Sequence, residues 1–142
     1  MDEIDQQIVA LLVEDGRRSY GDIAKRVSLS APSVKRRVDA LRARGAITGF
    51  TARLDPQALG QTTEALVELF YAPGTLLDEV AARLREHPEV VEAWSVTGDA
   101  DAIARVRTAS NAELERLIMR LQQDGSVRRT RSQVVLSQLV GR

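Results

Sequence analysis

The sequence predicts an α+β chain of two small units, helices alone at the front and then strands and helices in alternation. Three observations carry that expectation. Apolar residues recur at helical spacing between Ile4 and Leu41, with polar caps and turns dividing the pattern into three short helices. From Thr63 onward apolar residues alternate in strand fashion, and strand-like and helix-like stretches then follow one another. Charge is unevenly placed as well. The 142 residues carry 20 basic and 20 acidic side chains, yet Arg17 to Arg44 holds nine basic residues against two acidic ones, a net +7. Such a local basic field on a neutral chain attracts phosphate without making the whole surface adhesive.

In the first helix Ile4, Ile8, Leu11 and Leu12 share a face, and Asp15-Gly16 supplies the stop. A second, short helix begins at Ser19, which forms a capping-box pattern with Asp22 and turns Ile23 and Val27 inward. Val27-Ser28-Leu29-Ser30 leaves room only for a tight turn. Ser30 caps the third helix, and Pro32 is tolerated in its first turn, where no intrahelical N–H bond is needed. That helix runs to about Arg44, with Gly45 suited to the position just past its end.

At about 100° per residue, Val34, Val38 and Leu41 form the core stripe of the third helix. Arg36 lies almost opposite with Pro32 near it, Ser33 and Lys35 flank them, and Arg37 sits at the core edge. A short helix, a tight turn and a capped helix with a basic outer face make the helix-turn-helix pattern. Its second helix enters the major groove of double-stranded DNA with its N-terminal residues on base edges. Arginine suits both phosphate and guanine because its planar fork donates two parallel hydrogen bonds. The candidate DNA-binding residues are Ser30, Pro32, Ser33, Lys35, Arg36 and Arg37, with Arg17, Arg18 and Arg44 as phosphate contacts. Ser30 has a capping duty, whereas Ser33 shows no structural one. The competing view of Lys35-Arg36-Arg37 as a plain solvated face is outweighed by the three-helix spacing and the +7 segment.

Beyond Gly45, the residues Ile47, Phe50, Ala52 and Leu54 give an extended, partly alternating run closed by Asp55-Pro56. This predicts a wing strand, and hence a winged helix-turn-helix over residues 1–55 with a linker over 56–62.

Residues 63–142 form the second unit. Thr63 to Tyr71 reads as a strand apolar on both faces, with Ala65, Val67, Leu69 and Tyr71 on one and Leu66 and Phe70 on the other. Pro73-Gly74 turns the chain into a helix capped by Thr75 with Asp78, with Leu77, Val80, Ala81 and Leu84 inward. Val90 to Thr97 and Ala102 to Arg107 read as strands joined by the Gly98-Asp99-Ala100-Asp101 turn. Ser110 and Glu113 form a capping box before a helix that buries Leu114, Leu117, Ile118 and Leu121. Asp124-Gly125-Ser126 ends it, and the last strand lies within Val127 to Val140. The order β-α-β-β-α-β is the ferredoxin-like split arrangement, two helices on one face of a four-stranded sheet. With both strand faces apolar, the bare face calls for dimerisation through the sheet.

Several classes are excluded. The chain has no cysteine and one histidine, His87, beside Pro88 at a helix end, so no disulfide, metal site or histidine cluster is expected. Asp99 and Asp101 stand on a turn with no nucleophile–base pattern nearby, and no glycine-rich phosphate loop occurs, so neither an enzyme nor a bound cofactor is expected. The acidic start is followed by no signal-like apolar region, and the longest apolar run, Ile8 to Val13, falls far short of the ~20 residues of a membrane span. No membrane contact and a cytoplasmic location are therefore expected.

The ordered pieces together resemble the Lrp/AsnC, or feast/famine, family of transcriptional regulators over nearly the whole chain. They are Ile4-Asp5, Ile8, Leu11-Leu12, Asp15-Gly16-Arg17, Ile23-Ala24 and Val27 to Ser30, then Val34, Arg37, Val38 and Leu41. Gly45, Ile47, Gly49, Phe50 and Ala52 follow, with Leu54-Asp55-Pro56, Leu59-Gly60, Val96 to Asp99, Asp101 and Thr130-Arg131-Ser132. The resemblance implies a DNA-binding regulator whose second, RAM/ACT-like domain binds an amino acid or related small metabolite. It also implies homodimers that assemble into tetramers or octamers, with the effector in clefts between dimers. Its implied contacts are Gly98, Asp99 and Asp101 on the turn and Ser132, Gln133 and Val134 on the last strand. The chemistry agrees, since glycine lets backbone approach a small ligand and a carboxylate pairs with an α-ammonium group. Many members carry an aromatic residue where this chain has Ala100, which implies a roomier site. The alternative, an amino-acid-binding regulatory subunit acting on an enzyme, has no use for the basic outer face of the third helix.

Overall fold

The computed structural model describes residues 1–140, which divide into two compact units meeting at Arg53 and Leu54. The last two positions of the second unit expected above, 141 and 142, lie outside the described residues.

Three helices make the first unit: α1 (Glu3–Glu14), α2 (Tyr20–Arg26) and α3 (Ala31–Ala43). Ile8, Leu12, Ile23, Ala24, Val27, Val34 and Val38 bury together, each from the apolar stripe of its own helix. Asp2, Ser19 and Ser30 cap the three N-termini by accepting the N–H of the third helical residue. Only at Asp2 is the capping box closed in both directions, by Asp5. At Ser19 the expected return bond from Asp22 is replaced, because that carboxylate accepts from Arg18 and Arg26 instead.

The turn between α2 and α3 closes when the Leu29 N–H reaches the carbonyl of Ala24 at 2.9 Å. That bond requires Ser28 at φ 54°, a left-handed conformation that glycine usually takes. Gly45, at φ 75°, ends α3 in the same way, with the Ala46 N–H on the Leu41 carbonyl at 2.9 Å.

The wing does not form. The first strand among the described residues begins at Thr63, and Phe50 and Leu54 are 49% and 66% exposed. The physical reason is that a strand needs a partner, and the segment after α3 supplies a single extended run with no second one beside it. The unit is therefore a helix-turn-helix of three helices, with Ile47 packed on its core. A short 3₁₀ turn, Gln57–Leu59, occupies the segment expected to be linker.

The second unit has the β-α-β-β-α-β order: β1 (Thr63–Tyr71), α4 (Leu77–Arg85), β2 (Val90–Ser95), β3 (Ala102–Thr108), α5 (Asn111–Gln122) and β4 (Val127–Val134). The strands lie β2-β3-β1-β4, every neighbouring pair antiparallel. Ala65, Val67 and Leu69 of β1 and Ala102, Ala104 and Val106 of β3 are buried under Val80 and Leu84 of α4 and Leu114, Leu117 and Leu121 of α5. Small alanines at the sheet centre admit the helices closely.

Two further expectations are corrected. Thr75 does not cap α4, which starts after an N-cap Leu76 that lends no side-chain bond. The Thr75 hydroxyl instead donates to the Ser126 carbonyl at 3.3 Å, which ties the two loops together. Nor is the open face of the sheet an apolar patch. Register places Glu64 opposite Arg107, Glu68 opposite Arg131 and Phe70 opposite Arg129. The result is a lattice of ion pairs, with Arg105 and Arg107 on Glu64 at 3.0 and 2.8 Å, Arg105 on Glu92 at 2.9 Å, and Arg131 on Glu68. Phe70 is buried on this face because the Arg129 guanidinium lies 3.9 Å from its ring centroid. Trp94, 48% exposed and paired across the ladder with Ile103, is the large apolar side chain left open there.

Candidate nucleic-acid interface and effector turn

The first turns of α3 gather Ser30, Pro32, Ser33, Lys35 and Arg36 at the exposed end of one helix, above the buried Val34-Val38-Leu41 stripe. Ser30 does double duty. Its Oγ accepts the Ser33 N–H at 3.3 Å and donates to the Ser33 Oγ at 3.0 Å, so Ser33 does have a structural role. Lys35 reaches Asp39 one turn on, with Nζ to Oδ2 at 2.6 Å, and that carboxylate raises its pKa. Arg36 is exposed and has no carboxylate within ion-pair distance among the described residues.

The other predicted cations are differently employed. Arg18 has a side chain only 11% exposed and staples α1 to α2, donating to Glu14 at 2.9 Å and Asp22 at 3.2 Å. Arg37 binds Asp2 at 2.7 Å and Asp5 at 2.8 Å, and Arg44 binds Asp5 at 2.9 Å. Among the described residues Arg17 makes only a backbone bond, its N–H to Asp15 at 2.9 Å, and its guanidinium has no carboxylate partner there. Lys25 and Arg42, not singled out by the sequence, are exposed and have no ion-pair partner among the described residues either.

The electrostatics change accordingly. Residues 1–44 hold the same nine basic side chains but seven acidic ones, a net of +2. Hydrogen bonds from Arg37 and then Arg44 hold the Asp5 carboxyl below the ordinary aspartate range. Asp2 is lowered too, first by the Asp5 backbone N–H and then by Arg37. Sequence reasoning missed both acids. The available signal was their place in the first turn of α1, where carboxylates cap the helix and reach neighbouring helices.

In the second unit, Gly98 adopts φ 119°, open only to glycine, in the β2–β3 turn. Asp101 is fully engaged. Its N–H donates to the Leu69 carbonyl at 3.0 Å, its carbonyl accepts from Val96 at 3.2 Å, and its carboxylate accepts the Tyr71 N–H at 2.7 Å. That last bond falls where the β1–β4 register shifts between Phe70 and Tyr71. Asp99 is 72% exposed and lies 3.9 Å from Arg131. Together with Glu68, Ile103 and Ser95 to Thr97, these two line a shallow hollow on the open face, with the buried Ala100 in its wall. Arg131 holds the Glu68 carboxyl below its ordinary range.

Ser132, Gln133 and Val134 stand opposite Val67, Leu66 and Ala65 of β1, whereas the turn sits beside Leu69 and Tyr71. Two to six residues at ~3.3 Å each separate them along the strand. Within one chain, then, the turn and the strand segment are not brought together.

Residues 1–42 match the AsnC-type helix-turn-helix domain, and residues 64–142 match the Lrp/AsnC ligand binding domain. The chain is 42% identical over 142 residues to the HTH-type transcriptional regulator Rv2324 of Mycobacterium tuberculosis, spanning 100% of this chain and 96% of that protein. It is 34% identical over 136 residues to the HTH-type transcriptional regulator FL11 of Pyrococcus horikoshii, covering 96% and 89% of the two chains. Among solved structures it resembles the feast or famine regulatory protein Rv3291c of M. tuberculosis, complexed with L-methionine. The TM-score is 0.92 at 35% identity, covering 99% of this chain and 95% of that one.

Proposed function

The chain belongs to the Lrp/AsnC family of HTH-type transcriptional regulators, and from that premise we propose how its two units divide the work. Residues 1–55 hold the duplex, and residues 63–142 sense a small molecule and assemble the chain. α3 lies in the major groove with its N-terminal end on base edges, and Arg36 is the principal reader. The observation that carries this is the exposed Arg36 guanidinium, opposite the buried stripe and without a carboxylate partner among the described residues. A free fork in that place donates two parallel bonds to guanine. Ser30, Pro32, Ser33 and Lys35 line its approach, and Arg17 sits on phosphate.

The second unit dimerises through the open face of its sheet, with Trp94 and Ile103 as apolar contacts amid the ion pairs, and dimers gather into tetramers or octamers. Two half-sites then fall about one helical turn of DNA apart, or a multiple of it. A free amino acid, or a related metabolite, is the effector. The relative's complex with L-methionine supports that chemistry. Asp99 and Glu68 receive the α-ammonium group, and Arg131 with the Gly98 backbone receives the carboxylate. Asp101 holds the turn in shape, and Ser132, Gln133 and Val134 contribute from a neighbouring chain. Because ligand and assembly meet in one cleft, each shifts the other's equilibrium by the same factor. The protein works in the cytoplasm, where its DNA is, and catalyses no reaction.

Selection of duplexes from a random pool by the full-length protein tests this. Enrichment of a twofold-related sequence with half-sites at helical-turn spacing is expected. An unenriched pool contradicts it.

A further inference from the structure

Asp5 is one of two polar side chains buried among the described residues, and it is buried between Arg37 in the middle of α3 and Arg44 at its C-cap. Its Oδ1 accepts from Arg37 at 2.8 Å and its Oδ2 from Arg44 at 2.9 Å. Asp2 adds a second carboxylate to Arg37 at 2.7 Å. The two acids also hold each other, Asp5 N–H to Asp2 Oδ1 at 2.8 Å and Asp2 N–H to Asp5 Oδ2 at 3.3 Å. A fixed pair of carboxylates facing guanidinium forks offers the same chemistry as a phosphate of the DNA backbone.

We propose that Asp5, with Asp2, determines specificity by acting as an internal substitute for phosphate, one that withholds Arg37 and Arg44 from non-specific DNA binding. The proposal rests on α3 lying on the duplex. Non-specific affinity scales with the number of phosphates neutralised, whereas base reading does not. Each cation withheld therefore lowers the background without weakening the contact made by Arg36. Burial is what makes the withholding effective. The Asp5 side chain is 9% exposed, so its pairs are screened little by salt, and breaking them leaves a buried charge alone. The arginines remain partly open, at 30% and 45%, and become available to phosphate once the acids are neutralised.

The test uses the full-length protein, a random-sequence duplex and a duplex selected for tight binding, with affinities read at several salt concentrations. Asp5→Asn is expected to steepen the salt slope on random DNA by about one to two units and to raise low-salt affinity there roughly threefold to tenfold. Preference for the selected duplex falls as a result. An unchanged slope, or affinities that fall on both duplexes in step with the melting temperature, overturns the proposal and leaves Asp5 a fold staple. If Asp5→Asn does not fold, Asp2→Asn serves, since asparagine caps a helix as well as aspartate. It should steepen the slope by up to about one unit, and no change again overturns the proposal. Arg36→Ala is read in parallel. If it keeps the wild-type preference, α3 is not on the duplex and the proposal falls with its premise, whatever Asp5→Asn does.

Discussion

The carboxylate of Asp101 accepts the backbone N–H of Tyr71 at 2.7 Å, thirty residues back along the chain. It thereby caps an amide just past the end of the β1–β3 ladder, which stops at Leu69 opposite Ala102. An acid so employed is a structural element of the turn, and the carboxylate left for a ligand is the exposed Asp99.

The two acids should separate on mutation. Asp101→Ala is expected to lower stability by about 1–3 kcal/mol, since a backbone donor loses its partner. Asp99→Ala should stay within ~0.5 kcal/mol of the parent but abolish the thermal shift given by L-methionine or another binding amino acid. Urea unfolding and thermal-shift screening of both variants check this, and the opposite pattern contradicts it.

Ser28 sits at φ 54° in the turn before α3, a conformation that costs an L-residue about 1–2 kcal/mol. Ser28→Gly relieves the strain, less the extra chain entropy that glycine loses on folding. A net gain of about 0.5–1 kcal/mol is expected in chemical denaturation. A loss would show that the Ser28 side chain supports the turn.

The acid dependence of stability should trace to the same carboxylates that hold α3. Asp2 and Asp5 both titrate below their ordinary value of 3.8 in the folded state. The unfolded chain therefore binds protons first, and their stabilisation is full above the ordinary value and lost as pH falls through the lowered one. Asp5→Asn should be less stable than wild type at neutral pH, with the gap narrowing as pH drops below about 4. Denaturant midpoints across that range provide the check, and a gap that stays constant contradicts it.

The open sheet face makes a separate claim about assembly. Trp94→Asp puts a charge among the ion pairs where the dimer would close. The particle mass by light scattering should fall at micromolar concentration, and affinity for a two-half-site duplex should drop by ~10²-fold or more. An unchanged mass places the dimer contact elsewhere.

Much of this was legible in the sequence, for a reason that particular residues make plain. Ser19, Ser30 and Ser110 each cap a helix three residues ahead, and such local bonds are written in the spacing. The wing over Ile47 to Leu54 was misread because β-type residues do not make a strand without a partner. The arginines were harder still. Arg37 and Arg44 look like DNA ligands until the fold brings Asp5 to them from 32 and 39 residues away. The charged face of the sheet depends likewise on register, which sets Glu64 between Arg105 and Arg107 and Glu68 beside Arg131. Its one local signal was the period-two repeat of Arg105 with Arg107 and of Arg129 with Arg131.

The central claim is that Arg36 reads bases from α3, and equilibrium binding of Arg36→Ala to a selected and a random duplex tests it most directly. The variant is expected to lose about 1–3 kcal/mol on the selected duplex, while on random DNA its salt slope flattens by no more than about one unit. The ratio of the two affinities should therefore fall by roughly fivefold to 150-fold. A variant that keeps the wild-type ratio would contradict the account, because α3 would then not lie on the bases of the duplex.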